Sequence, residues 1–115
     1  MDSNCLFCKI ISGEIKGEIV YQDNLVIGIK DINPQAPVHI LLIPRKHIPT
    51  PLDLTEEDRD ILKNVFLAAK KIAIDKNIGK SGYRVVMNCN AGAGQSVFHI
   101  HFHLLGGRKM EWPPG

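Results

Sequence analysis

The sequence predicts an α+β fold: an antiparallel sheet of about five strands with one long and one short helix. Three observations carry this reading. Ile61, Leu62, Val65, Phe66, Ala69, Ile72 and Ala73 recur at helical spacing along one stripe. Short runs rich in β-branched and aliphatic residues, such as "VHILLIP", are bounded by proline, glycine, aspartate and asparagine. The run "FHIHFHLLGG" alternates imidazoles with large apolar residues at the period of a strand.

Each element has a local cause. "SNCLFCKIISG" reads as a short helix, capped by Ser3 or Asn4 and ended by Gly13 at C′. Asp23-Asn24 is a turn signal between the strands Ile19 to Tyr21 and Leu25 to Ile29. "NPQAP" is a loop, and "VHILLIP" is a strand that Pro44 stops. "RKHIPTPLD" is a second proline-broken loop. Thr55 and Asp58 resemble a capping box, and Glu56 and Glu57 suit the positive end of the long helix that follows. Asn77 to Gly79 ends that helix. "YRVVMN" is a strand, "CNAGAGQ" a small-residue loop, and "SVFHIHFHLLG" a long final strand. The tail "RKMEWPPG" is extended and irregular.

Residues 1–115 form a single domain, long enough to bury a core. Hydrophobic residues make up 44% and charged residues 23%, ordinary values for a soluble globular protein. No apolar run approaches the roughly 20 residues of a membrane span, and "MDSNCLFCKI" has no secretion signal. A net charge of +2 argues against a dedicated nucleic-acid binder. The three cysteines are an odd number. Thiols in the cytoplasm, with the nucleus as a further compartment, are the expectation.

On a strand His99, His101 and His103 share one face, and Phe98, Ile100, Phe102 and Leu104 share the core face. His99 and His103 then stand roughly 13 Å apart. Metal–nitrogen bonds are about 2 Å long, so three histidines of one straight strand do not close on one metal. A histidine-rich polar face, a metal site using two of the three, and a catalytic row remain. The loop "AGAGQS" before the row favours the last: small residues let backbone N–H groups ring an anion, and Ser96 adds a hydroxyl. Neutral imidazole is plentiful near pH 7 and is a competent nucleophile at phosphorus. His39, on another strand, completes a four-histidine cluster if the two strands are neighbours.

"QSVFHIHFHLL" matches the His-x-His-x-His-x-x pattern of the histidine triad (HIT) family. The resemblance also covers "FCKIISGEI", "DINPQAPVHILLIPRKHI" and "GYRVVMN", and the ending "LLGGRKMEWPPG" resembles the Hint branch, the purine nucleoside phosphoramidases. It implies a HIT-like fold whose sheet continues across a homodimer. It also implies hydrolysis of purine nucleoside 5′-phosphoramidates, AMP linked to an amine or a lysine, through a nucleotidyl-histidine. By motif matching the nucleophile is His101, supported by His103, His99 and His39. Asn88, Gly94, Gln95 and Ser96 fall on the phosphate side, with Ser96 donating to the leaving nitrogen. Asp31 falls at the ribose hydroxyls and Ile32 at the base. The loop "CNAGAG" is less acidic and polar than that of vertebrate-like members, so leaving-group preference does not carry over.

"CLFC" places Cys5 and Cys8 at i and i+3 of a helical turn, either as small core residues or as half of a tetrahedral zinc site. Several histidine triad proteins pair such cysteines with two histidines, here matching His47 and His99. The zinc so implied is structural and unnecessary for catalysis, far enough from His101 to stand apart from the chemistry. Cys89 is a filler or a reactive thiol. Two other functions compete: a dinucleoside polyphosphate hydrolase, against which "WPPG" weighs, and a non-catalytic zinc-containing adaptor or kinase regulator. The stiff tail, with its lone Trp112, is expected to reach the partner subunit; the alternative is that it folds back on its own.

Overall fold

The computed structural model describes residues 4–115. The strands are β1 (Ile19–Gln22), β2 (Val26–Lys30), β3 (Val38–Pro44), β4 (Tyr83–Val86) and β5 (Phe102–Gly106). They form one antiparallel sheet in the order β1-β2-β3-β5-β4. The helices are α1 (Leu6–Ile11) and α2 (Arg59–Asp75). The α+β expectation holds, and every strand appears near its expected place.

β2 and β3 are the central apolar runs because both of their faces are covered. Val26, Ile40, Leu42, Ile100, Phe102 and Leu104 pack on one face against Ile61, Val65, Ala68, Ala69 and Ile72 of α2. Ile27, Ile29, Leu41 and Ile43 face the other way, onto Phe7, Cys8 and Ile10 of α1. The buried stripe of α2 includes Ala68, which the helical pattern did not select, while Phe66 is 54% exposed. Phe66 lies at the margin of the stripe and meets Phe102 only edge-on, with ring centres 6.2 Å apart.

Helix ends differ in detail from the expectation. Cys5 caps α1, its Sγ accepting from the Cys8 N–H at 3.4 Å. Asn4 is not the cap, and Ser3 lies outside the described residues. Gly13 follows the helix at φ 84° as expected. The Thr55–Asp58 capping box is present, but it opens a 3₁₀ turn over Glu56–Asp58 that precedes α2.

The long last strand is the main correction. Only Phe102–Gly106 is strand, and residues 96–101 lie outside the ladder. The register shows why: Leu42 pairs with Phe102, so continuation would set Ile100 against Pro44, which has no N–H to give. The Ile100 N–H donates instead to the Ile48 carbonyl at 2.8 Å. Phe98, expected on the core face, is 47% exposed because the chain has left the sheet there.

Candidate functional site

Although the strand is shorter than its motif, inward and outward residues still alternate from 99 to 104. Ile100, Phe102 and Leu104 are buried under α2, and the three histidines turn to the α1 face. They do not form a single row of equivalents. His99 is fully buried beside α1, His101 is buried next to it, and His103 pairs in register with Leu41 and is half-buried. His39 stands two residues before Leu41, on the same face of β3, so the ladder brings it diagonally next to His103.

Backbone groups determine which nitrogen of each ring carries the proton. His101 Nδ1 lies 2.9 Å from the His99 carbonyl, which can only accept. The proton of neutral His101 is therefore on Nδ1, and its Nε2 bears the lone pair. The Gln35 N–H donates to His39 Nδ1 at 3.0 Å, so His39 carries its proton on Nε2. That proton is donated to His103 Nδ1 at 2.9 Å, with Asp31 Oδ2 3.4 Å away. His103 in turn holds its own proton on Nε2. The site thus offers one imidazole as an electron-pair donor and a neighbour as a hydrogen-bond donor. The rings of His101 and His103 are 5.1 Å apart.

Burial is the largest influence on all four rings of this face and keeps them neutral. It lowers the pKa of His39, against the opposing pull of the Asp31 carboxylate. It lowers those of His99 and His101, against their hydrogen bonds to the Pro44 and His99 carbonyls. His103 falls to about 4, through burial and the neighbouring His101 and His39. Phe7 presses its ring edge-on against His101, centroids 5.0 Å apart, and helps keep water from it.

A second cluster adjoins the first. Cys5, Cys8, His47 and His99 converge, with donor atoms all within 4.8 Å of one another. The two Nδ1 atoms of His47 and His99 are 3.2 Å apart. Cys5 Sγ is 3.3 Å from His99 Nδ1, and Cys8 Sγ is 3.4 Å from His47 Nδ1 and 3.6 Å from His99 Nδ1. A tetrahedral zinc with bonds of about 2.3 Å to sulfur and about 2.05 Å to nitrogen has N–N edges of about 3.3 Å and S–N edges of about 3.6 Å. The observed separations match those edges. His99 Nε2 donates to the Pro44 carbonyl at 2.6 Å, which turns the Nδ1 lone pair toward the thiols, as a metal ligand requires. Asp31, His39 and His103 also lie close enough to suggest a metal. There the Gln35 N–H occupies His39 Nδ1 and keeps a proton on Nε2, the atom a metal would need. That group is a hydrogen-bonded relay. Contrary to the expectation of distance, the Cys/His cluster touches the His101 seat, because the His99 carbonyl accepts from His101.

The small-residue loop is not the open anion nest expected. Residues Ala91–Ala93 form a 3₁₀ turn, and the N–H groups of Ala93 and Gln95 donate to Asn90 O, that of Gly94 to Ala91 O. The Gln95 side chain is buried and committed to the loop: Oε1 accepts from Asn90 N, and Nε2 donates to Pro49 O and Val97 O. Gln95 therefore shapes this loop. Gly94, at φ 97°, and Ser96 are exposed, and Asn88 and Cys89 are half-buried. Asp31 and the fully exposed Ile32 line a cavity of ≈ 460 Å³ with Ile10, Lys16 and Ile29. Sequence reasoning missed Gln35 and Pro44, whose contributions are backbone atoms.

An α+β domain with a buried histidine pair just before β5 and an adjoining Cys/His cluster is the architecture of a histidine triad hydrolase. Known proteins agree. The family described as Scavenger mRNA decapping enzyme C-term binding matches residues 4–112. The chain is 49% identical over 110 residues to the purine nucleoside phosphoramidase of Escherichia coli strain K12, covering 96% of this chain and 92% of that one. It is 50% identical to a HIT-like protein of Synechocystis over the whole of both chains. A HIT family hydrolase from Legionella pneumophila superposes with a TM-score of 0.95 at 52% identity, over 97% of this chain and 100% of that one. The chain belongs to the HIT, or histidine triad, family.

Proposed function

We propose that this chain hydrolyses purine nucleoside 5′-phosphoramidates. The observation that carries the reading is the seat of His101: its Nδ1–H is bound to the His99 carbonyl, so a neutral Nε2 lone pair is available. The name of the 49% identical Escherichia coli relative supports the substrate class. In this reading His101 Nε2 attacks the α-phosphorus and the P–N bond to the amine breaks. Ser96 gives its hydroxyl proton to the departing nitrogen, so that a neutral amine leaves, and the water that enters in the second step returns a proton to Ser96. The His103 Nε2–H binds a phosphoryl oxygen, where charge builds up. Water then cleaves the nucleotidyl-histidine, giving a nucleoside monophosphate and free His101. Asp31 accepts from the ribose hydroxyls and Ile32 covers the base, in agreement with the cavity they share. Asn88 and Gly94 lie on the phosphate side.

Cys5, Cys8, His47 and His99 are assigned one zinc, which would fasten α1 to the sheet and take no part in the reaction. β4 is an edge strand, and Phe66, Leu67, Ile74, Tyr83 and Met87 are exposed apolar residues on α2 and on or next to β4. Pairing of two β4 edges in a homodimer would satisfy the open strand and cover apolar surface. Trp112 is 81% exposed on the single chain, and Pro113 and Pro114 line a cavity with Arg84, Val86 and Leu105, so the tail lies over the face of β4 and β5 opposite α2 and leaves the β4 edge open. Cysteines kept reduced as metal ligands suit the cytoplasm. Incubation with a labelled adenosine phosphoramidate tests the reading. Acid-labile nucleotide on the protein, absent in His101→Asn, is the expected result; turnover without any such adduct overturns the mechanism.

A further inference from the structure

The proton on His103 Nε2 depends on a chain of bonds that begins outside the histidines. The Gln35 N–H is its origin: it occupies His39 Nδ1 and so places the His39 proton on Nε2, where Asp31 Oδ2 lies 3.4 Å away and favours the same tautomer. Gln35 sits in the exposed loop between Pro34 and Pro37, and exposed loops wander unless they are tied down. Two ties come from the end of β5. The Arg108 Nε–H donates to the Gln35 carbonyl at 2.9 Å, while its Nη1 donates to the Lys109 carbonyl at 3.1 Å and fixes the side chain. Gly107, at φ 90°, runs so close to Pro37 that a Cβ would lie 2.9 Å from the Pro37 Cβ. Arg108 thus grips the residue whose N–H sets the tautomer, and Gly107 packs against the same loop at Pro37.

We propose that Gly107 and Arg108 are positioning residues that hold Gln35 against His39 and so keep the donor proton of His103 on Nε2. His103 as phosphate-side donor rests on the reading of the preceding subsection; the tautomer itself does not. The clamp is continuous with the tail along β4, so a change in how the tail is packed would be transmitted to His103 through one arginine. Nothing in Arg108 touches the reacting atoms, and its effect passes through Gln35 and His39.

The test is long-range nitrogen–proton NMR on the free, full-length protein, paired with steady-state kinetics on an adenosine phosphoramidate. In wild type, His39 shows a bare Nδ1 and a protonated Nε2. In Arg108→Ala, an exposed and therefore tolerated change, that pattern blurs toward a mixture. Its kcat falls by about three- to tenfold, the scale of one hydrogen bond, with KM little changed. Arg108→Lys, whose amine can reach the same carbonyl, recovers most of both. Gly107→Ala disturbs the loop by another route and gives the same signature. A proton on His39 Nδ1 in wild type overturns the proposal. So does an unaltered tautomer in Arg108→Ala, whatever happens to its rate, and so does a blurred tautomer with kcat intact. If wild type turns over no phosphoramidate while the tautomer still responds to Arg108→Ala, the clamp stands and the functional reading falls.

Discussion

Replacing Cys8 by serine separates the metal reading of the Cys/His cluster from a purely apolar one. Cys8 is 1% exposed, and its Sγ lies 3.4 and 3.6 Å from two imidazole nitrogens. Serine keeps the shape but is a far poorer zinc ligand. A ligand that binds only the folded state at a hundredfold excess over its Kd contributes about 2.7 kcal/mol. For a chain of 115 residues about 1 kcal/mol corresponds to roughly 4 °C in Tm, so losing the metal lowers Tm by about 10 °C. Burying a hydroxyl in place of a thiol costs about 1 kcal/mol more. Differential scanning calorimetry with and without a chelator resolves the two parts. Wild type should drop by about 10 °C on chelation, whereas Cys8→Ser, already low, should barely move. Turnover in the cold should suffer less, because His99 Nε2 to Pro44 O and Ile100 N to Ile48 O still hold the segment that carries His101. Wild type free of zinc by elemental analysis, with the same Tm in chelator, would refute the reasoning and return both cysteines to the core.

The ends of β3, the hairpin and the Thr55 capping box were legible because each is written in local side chains: Pro44, Asp23-Asn24, and Thr55 with Asp58. The period-2 alternation correctly put Ile100, Phe102 and Leu104 in the core. It overran the strand because alternation continues even when hydrogen-bonding partners have stopped, and the stop lies on Pro44, 56 residues back in the sequence. The metal donors were legible only through the resemblance. Spacing gave Cys5 and Cys8 as a pair, but nothing local pairs His47 with His99. What sequence could not provide was direction. The tautomers of His39, His99 and His101 are set by Gln35 N–H, Pro44 O and His99 O, groups present in every residue and identifiable only once the chain has folded. Gln95 shows the same limit. Motif matching put it on the phosphate side, yet its amide reaches inward to three backbone partners.

Gly106→Ala should cost about 1–3 kcal/mol in urea denaturation, since its Cβ would meet Ile78 Cδ1, and a full-size loss that Ile78→Ala does not relieve would contradict that cause. Acid should destabilise the protein through His103. Its pKa is about 4 when folded, against an ordinary 6.5, so below 6.5 the unfolded chain takes the proton first. That stability is whole above 6.5 and is lost progressively down to about 4; His103→Gln should flatten the slope across this window, and an unchanged slope would place the burden elsewhere. Deleting residues 110–115 should leave a folded dimer with altered selectivity between small amines and lysine conjugates, as unaltered selectivity would put the tail away from the site. The sharpest outcome is expected of His101→Asn. An asparagine amide can still donate to the His99 carbonyl now bound by His101 Nδ1, at 2.9 Å in the native chain, so the seat survives. Only the atom corresponding to Nε2 is gone. The variant should therefore melt near wild type and bind AMP, yet lose at least about a thousandfold in kcat and form no nucleotide adduct. Retention of more than about a tenth of the wild-type rate would mean that the attacking atom is not on His101, because removal of an essential nucleophile costs orders of magnitude more.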